Sequence, residues 1–417
     1  MLREILKQSW AALWRSPTRT MLTMLGIVWG IVAVALLVAY GSSFRAVLSG
    51  AFDAFGKSVV VCWPGQTSEQ AGGERAGRRV RFEQADIDAI LAEATLVKHA
   101  CLETVQWRGV TYQERLQSVP VRGVCPEYGE MRNEVPSEGR WITPEDILER
   151  RRVVFLGHDV RRSLFSGRPA VGETVRIGGV RFTVIGAMDK KVQMSNYFTS
   201  DDGSVWIPYS TAGDMWNNRY GSVMLFEVAT PSLEAQAIRQ VRAVIAKRQR
   251  FSPTDERAFQ SFGREQFRPV IDGITIGLQV LLLFVGTLTL GIGGVGVMNI
   301  MLVSVDERTR EIGLRRALGA KRWHIRAQFL TEALVITLAG GVLGMAASYL
   351  LSAAVGPIPL LGPLFEDTSG KTDIHLVISP LTVAVSAGVL LAVGVLSGLI
   401  PAMRAAGLDP ARALRYE

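Results

Sequence analysis

Four stretches of the chain run without a charged residue and are mainly apolar: Thr20 to Phe44 (25 residues), Gly273 to Val305 (33), Ala333 to Phe365 (33) and Ile374 to Met403 (30). The hydrocarbon core of a bilayer needs about 20 residues of helix, so the pattern predicts four transmembrane helices. Ahead of the first, Leu2, Ile5, Leu6, Trp10 and Leu13 share one helical face. Arg3, Glu4, Lys7, Gln8 and Arg15 lie elsewhere, until Pro17 stops the pattern. That spacing predicts a helix lying in the membrane interface, or one packed on a partner. A cleavable signal has an apolar core of about 7 to 15 residues, so the longer first stretch reads as a retained anchor.

Between the first and second stretches the periodicity changes to mixed α/β. Glu83 to Glu93 reads as a helix, and Cys101 to Trp107 and Val110 to Val124 alternate as strands. A second such unit follows, with Val223 to Val228 as strand and Pro231 to Arg248 as helix. Two halves in this order suggest a split βαβ domain, interrupted by a β-rich insertion over about 126 to 211. The clearest piece of the insertion is Thr174 to Ile185, two alternating strands joined by Gly178-Gly179, a two-residue hairpin signal.

Hydrophobic residues make up 48% of the 417 and charged residues 20%, which excludes a disordered chain. The net charge of +8 raises the question of a nucleic-acid partner, but the excess sits beside the membrane stretches. Lys and Arg number four in residues 1–19, seven in 306–326 and three after 403, whereas the 45–272 loop is nearly balanced with 31 basic and 28 acidic residues. Short basic segments stay cytoplasmic, so both termini and the 306–326 loop are expected inside and the large loop outside. No nucleic-acid partner is expected.

Cys62, Cys101 and Cys125 fit no zinc or redox spacing, and their odd number leaves at least one free. The four histidines are scattered along the chain, so neither a metal site nor a catalytic constellation can be assembled. Ala51 to Ser58 (AFDAFGKS) resembles a relaxed phosphate loop, but it follows a predicted membrane helix instead of a strand. It is expected not to bind ATP.

Small residues at close-packing spacing punctuate the membrane stretches: Gly26 and Gly30, Gly340 and Gly344, Gly394 and Gly398, and the cluster Gly291, Gly293, Gly294 and Gly296. They let helix backbones approach, either within one subunit or across a dimer. Glu332 is the one ionisable group well inside an apolar segment, six residues after Arg326, and no mid-membrane ion site is expected. The densest pattern is the loop 306–326. It reads as a short helix with Ile312, Leu314 and Leu318 among Arg310, Arg315 and Arg316, closed by Gly319, then a second basic helix entering the bilayer.

Arg310-Glu-Ile-Gly-Leu-Arg-Arg-Ala-Leu-Gly-Ala, Gln328-Phe-Leu-Thr-Glu-Ala and the ending from Pro401 to Glu417 resemble the permease domain of the MacB/FtsX superfamily, the type VII ABC transporters. Glu138 to Asp146, Val154 to Gly157, Val171 to Gly186 and Val205 to Tyr209 are similar to the MacB-like periplasmic core. The resemblance implies a membrane protein with four transmembrane α-helices and a large α+β extracytoplasmic domain between spans 1 and 2. In its terms residues 1–44 are the interfacial helix and span 1. Residues 45–125 and 212–272 form a porter-like part, 126–211 a β-rich Sabre-like insertion, and 273–417 spans 2 to 4.

The same resemblance implies a homodimer or heterodimer in a bacterial inner membrane and an ATPase docked on the loop between spans 2 and 3. Glu311, Gly313, Arg315, Arg316, Leu318, Gly319 and Arg322 are the expected coupling residues. MacB carries its ATPase ahead of the first span, so here a separate cytoplasmic subunit is expected to bind ATP and Mg, with no cofactor in this chain and no enzyme activity of its own. A periplasmic adaptor and outer-membrane channel are further candidate partners. Two functions follow: a permease working by mechanotransmission for export or extraction, or an FtsX-type regulator of an external cell-wall hydrolase.

Overall fold

A computed structural model describes residues 17–56, 58–193, 196–365, 370 and 372–413. The expected interfacial helix over 1–14 and Lys57 of the phosphate-loop-like octet lie outside the described residues. In chain order the helices are α1 (Pro17–Asp53), α2 (Gln84–Glu93), α3 (Tyr128–Arg132), α4 (Pro144–Leu148), α5 (His158–Phe165), α6 (Tyr209–Met215) and α7 (Glu234–Gln249). They continue as α8 (Arg268–Glu307), α9 (Thr309–Ala317), α10 (Arg322–Val355), α11 (Gly362–Phe365), α12 (Pro380–Gly407) and α13 (Pro410–Ala413). The chain divides into two compact units, one holding the segments up to Val47, Gly273–Leu360 and from Asp373 on, the other Leu48–Asp272 and Leu361–Thr372.

In the first unit α1, α8, α10 and α12 are each long and apolar enough to cross a membrane. The third begins at Arg322, ahead of the uncharged stretch, because Lys321 provides an extended N-cap. It stops at Val355, well before Phe365, where Gly356 takes φ +66° and Pro357 and Pro359 cannot continue a helix. The fourth starts only at Pro380. Ser379 caps it, accepting the Thr382 N–H at 3.2 Å, while Ile374 pairs with Ile358 instead of joining the helix.

Glycines set how closely these helices approach. A Cβ on Gly30 would lie 2.7 Å from the Leu290 Cα, one on Gly340 2.8 Å from the Ile27 Cγ2, and one on Gly344 2.8 Å from the Ile31 Cβ. Thus α1 packs against both α8 and α10. Gly394 and Gly398 leave 2.7 Å gaps of the same kind to Thr337 Oγ1 and Ala333 Cβ, which seats α12 on α10. Gly26 is looser, 3.4 Å from the Gly293 Cα. All six of these glycines serve contacts within one chain.

Among the described residues the second unit is built on ten strands: β1 (Val59–Pro64), β2 (Val97–Tyr112), β3 (Arg115–Val124), β4 (Pro136–Gly139), β5 (Val153–Leu156), β6 (Thr174–Ile177), β7 (Val180–Met188), β8 (Val205–Pro208), β9 (Val223–Val228) and β10 (Phe259–Gly263). Their order is β10-β1-β9-β2-β3-β8-β5-β7-β4, with β6 paired to β2 and β7. α2 and α7 cover the β10-β1-β9-β2 side, burying Ile87, Ile90, Val241 and Ile245 against Val60, Met224 and Phe226. β6 and β7 form the expected hairpin, Gly178 and Gly179 both taking positive φ (+56° and +88°) as a type I′ turn requires.

β2 and β3 depart from the sequence reading. The strand does not break after Trp107 but runs through Gly109 to Tyr112, and the turn falls inside the segment expected to be one strand, at Gln113-Glu114. Gln113 adopts the left-handed φ of +54°, a conformation that glycine or asparagine would have advertised and glutamine does not. Cys101 and Cys125, on adjacent ends of this ribbon, form a disulfide, and Cys62 is a buried free thiol.

Candidate functional site

The sequence-predicted coupling residues gather on α9 and the start of α10. α9 is held on its inner face by the end of α12 and by α13. Ile312 is buried with Ala402, Ala405 and Ala406, and a Cβ on Gly313 would stand 2.6 Å from the Ala413 Cβ. Arg316 donates from Nη1 to the Ala406 carbonyl at 3.2 Å and to the Leu408 carbonyl. Those carbonyls belong to the last turn of a helix and its cap, where a guanidinium satisfies otherwise unpaired acceptors. Two of the segments that carry the family resemblance, Arg310 to Ala320 and the described part of the ending, Pro401 to Ala413, therefore pack on each other.

Two further links tie the α9 region to α10, Arg308–Glu332 and Arg315–Gln328. Arg308, the N-cap of α9, reaches both carboxylate oxygens of the buried Glu332 at 3.4 Å, and within α10 Gln328 donates to Glu332 at 3.3 Å. Arg315 joins Gln328 Oε1 at 2.7 Å to Glu311 Oε1 at 2.6 Å. Gly319, φ +99°, closes the helix, its N–H on the Arg316 carbonyl at 3.1 Å.

The opposite face faces outward. Leu314 is 53% exposed, Leu318 81% and Trp323 59%, and Arg310, Glu311, Lys321 and Arg322 surround them, also exposed. Leu318, read from sequence as one of the apolar residues of this helix, is its C-terminal cap and largely exposed. Arg315 and Arg316, read from sequence as equivalent charges, divide: Arg316 is spent on backbone carbonyls, and Arg315 bridges helix to helix. The phosphate-loop-like octet starts in the last turn of α1 and leads into β1, the reverse of a strand–loop–helix order.

Sequence reasoning missed a buried ionic cluster in the second unit. Arg122 on β3 donates to Glu103 Oε1 at 3.1 Å, to Ser204 Oγ at 3.1 Å and to the carbonyls of Thr199 and Tyr197 at 3.1 and 3.3 Å. Tyr197 donates to the other Glu103 oxygen at 2.5 Å. Arg132 grips both Asp201 oxygens at 3.1 and 2.9 Å, and Lys191 joins Asp201 at 2.9 Å to Glu134 at 3.0 Å. Burial alone would raise Asp201, but Arg132, Lys191 and Arg122 hold it well below the ordinary carboxylate range. Burial and then the charge of Asp201 push Glu134 up to about 8. Burial also raises Glu103, against the pull of Arg122.

Residues 20–244 match the MacB-like periplasmic core domain, and residues 283–410 match the FtsX-like permease C-terminal domain. The chain belongs to the MacB/FtsX family of ABC transporter permeases. The permease is 32% identical over 411 residues to the macrolide export ATP-binding/permease protein MacB of Chlorobaculum tepidum, an overlap of 98% of this chain and 61% of that protein. It is 30% identical over 416 residues to the protein of the same name from Bdellovibrio bacteriovorus, covering 99% and 62%. It thus spans about three fifths of the length of the curated relatives it matches.

Among solved structures, the periplasmic region of MacB from Actinobacillus actinomycetemcomitans aligns with 54% of the permease and 98% of that chain, at 14% identity and a TM-score of 0.42. The extracellular domain of the noncanonic ABC-type transporter YknZ aligns with 49% and 100%, at 15% identity and 0.40. The match of residues 20–244 to the MacB-like periplasmic core domain, with four helices long and apolar enough to cross a membrane, makes the permease a membrane protein whose large β-rich unit, between the first two membrane helices, is its periplasmic domain.

Proposed function

We propose that the permease works by mechanotransmission: a separate cytoplasmic ATPase, carrying ATP and Mg, docks on the outer face of α9, and its cycle is passed through the membrane helices to the periplasmic domain. That domain then changes shape to export or extract a substrate. The termini and the 306–326 loop are cytoplasmic in this reading, and two permease subunits work as a homodimer or heterodimer.

One observation carries it. α9 is fixed from behind by Ile312, Gly313 and Arg316, while Leu314 and Leu318 stand out 53% and 81% exposed among charges. Exposed apolar anchors rimmed by charge suit a partner's groove, and a clamped inner face transmits a push instead of absorbing it. The chain passes between the units along α1 and α8, which gives the push a covalent route outward.

In this account Leu314, Leu318, Glu311 and Arg322 meet the ATPase, and Gly313, Arg315, Arg316 and Gly319 hold α9 in position. The test is co-purification of the permease with an ATPase encoded beside it, with ATP turnover measured on the complex. Leu314→Asp/Leu318→Asp is expected to abolish association while the permease still inserts into the membrane. Association at the wild-type level would overturn the assignment. Restoration of export by the wild-type pair in a deletion strain separates transport from regulation of a cell-wall hydrolase, which would instead restore cell separation.

A further inference from the structure

The periplasmic domain carries a cleft whose residues the coupling reading does not use. It encloses about 430 Å³ between the segment Glu74–Asp86 and the end of α7, and Arg78, Arg79, Arg81, Arg248 and Arg250 line it together with Tyr220. The volume lies within the range of small-molecule sites, roughly 300 to 1,000 Å³. Five arginines there contrast with a 45–272 region that is otherwise nearly charge-balanced.

Ordinary structural roles account for part of this charge. Arg248 pairs with Asp86 at 2.9 Å, an acid already accepting the Glu83 backbone N–H at 2.9 Å and Gln249 Nε2 at 3.0 Å. Glu83 is paired with Arg219 at 3.6 Å. Arg78 donates to the Gln249 carbonyl at the end of α7, as a cation at a helix C-terminus does, but its buried Nε has no partner.

What remains is unspent. Among the described residues Arg79 and Arg250 are exposed, and their guanidinium groups have neither an ion pair nor a hydrogen bond. Arg81 lies 4.7 Å from the Tyr220 ring centroid. Glu74 is the one other acid of the cleft.

The walls are built, not draped. Ser68 and Glu69 donate their backbone N–H groups to Asp255 at 2.6 and 3.1 Å, and the Arg78 N–H goes to Thr67 Oγ1 at 3.1 Å. Gly72, φ +60°, packs on Arg250, where a Cβ would come within 2.8 Å of the arginine's own Cβ. Arg250 itself holds a left-handed φ of +55° at the cap of α7. Five arginines converge here from two separately anchored segments against three acids, Glu74, Glu83 and Asp86, and a cleft of net positive charge concentrates anions.

We propose that this cleft binds a phosphate-bearing ligand, its oxygens taken by Arg78, Arg79 and Arg250 and its remainder laid along Arg81 and Tyr220. Guanidinium forks match phosphate geometry in pairs, and the exposed, unpaired guanidinium groups of Arg79 and Arg250 are the donors such a ligand would use. A phosphorylated lipid headgroup and a soluble phosphate compound share this chemistry. The inference is independent of the ATPase reading, since binding is measured with no ATPase present.

The experiment is calorimetric titration of the full detergent-solubilised permease with inorganic pyrophosphate. Saturable binding that weakens with added salt is expected. Arg79→Gln/Arg250→Gln should weaken it about tenfold or more, the loss of charge-assisted hydrogen bonds, while Arg176→Gln, an exposed arginine on β6, should leave it unchanged. Absence of saturable heat, or equal loss in the Arg176→Gln protein, overturns the proposal. The melting temperature of each variant is recorded, and for a variant that does not fold the salt dependence of the wild-type protein decides, a salt-independent heat counting against the site. Competition by mixed micelles containing phosphatidic acid, at equal phosphate concentration, distinguishes the sources: stronger displacement than by free phosphate indicates a lipid headgroup, weaker displacement a soluble ligand.

Discussion

Arg122→Met is the most demanding perturbation of the periplasmic domain, because it removes a charge while keeping most of the side-chain volume. Arg122 and Glu103 are both fully buried. The substitution strips Glu103 of its cation and leaves the Ser204 hydroxyl and the Tyr197 and Thr199 carbonyls without their donor. Breaking a buried pair from one side costs about 3 to 5 kcal/mol. At about 2 to 4 °C per kcal/mol for a domain of 150 to 250 residues, the unfolding transition should fall by roughly 6 to 20 °C.

Fluorescence follows it directly, since the buried Trp206 lies 5.9 Å from Trp141 beside this core. Glu103, already raised by burial, rises further once Arg122 is gone, and a carboxyl raised above its unfolded value stabilises below that value and loses the contribution as pH rises. The deficit should therefore be smaller at pH 5 than at pH 8. Glu103→Gln added to Arg122→Met should recover part of the loss, because the carboxylate that lost its cation is then no longer there to be buried. A shift below about 2 °C, less than 1 kcal/mol on the same scale, or a double variant as unstable as the two single losses combined, would refute the reasoning.

Glu134, raised to about 8, should make the periplasmic domain lose stability as pH rises from the ordinary glutamate range through 8, and Glu134→Gln should flatten that slope in melting curves taken from pH 5 to 9. Gly344→Leu, facing Ile31 Cβ at 2.8 Å and the Val28 carbonyl at 3.0 Å, should cost about 1 to 3 kcal/mol by overpacking. Gly291→Ala, with nothing within 4 Å, should be neutral or slightly stabilising when both are unfolded in detergent. Cysteine labelling in intact cells should reach positions near Gly72 but not near Lys321; a labelled Lys321 position would reverse the proposed orientation.

The membrane helices were legible because a bilayer demands long uncharged runs, and Gly178-Gly179 because a type I′ turn demands positive φ at both positions. The split of Arg315 from Arg316 was not: both are arginines one residue apart, and only the arrival of α12's last carbonyls beside Arg316 distinguishes them. The cluster around Arg122 escaped for a similar reason. Its members are spread from Glu103 to Asp201, and each reads singly as a surface charge. One clue was available, since Arg122 interrupts the apolar strand end Val119-Pro-Val-Arg-Gly-Val, where every residue is buried. The disulfide between Cys101 and Cys125 depends on β2 and β3 pairing across a turn that carries no turn residues.

The central claim concerns the face of α9, and photo-crosslinking tests it most directly. A photoreactive amino acid placed at Leu318 should yield an adduct with the ATPase subunit in intact cells, whereas the same group at Ile312, buried against α12, should yield none. Adducts from Leu318 only to lipid or to periplasmic proteins, with the ATPase present and active, would contradict the account.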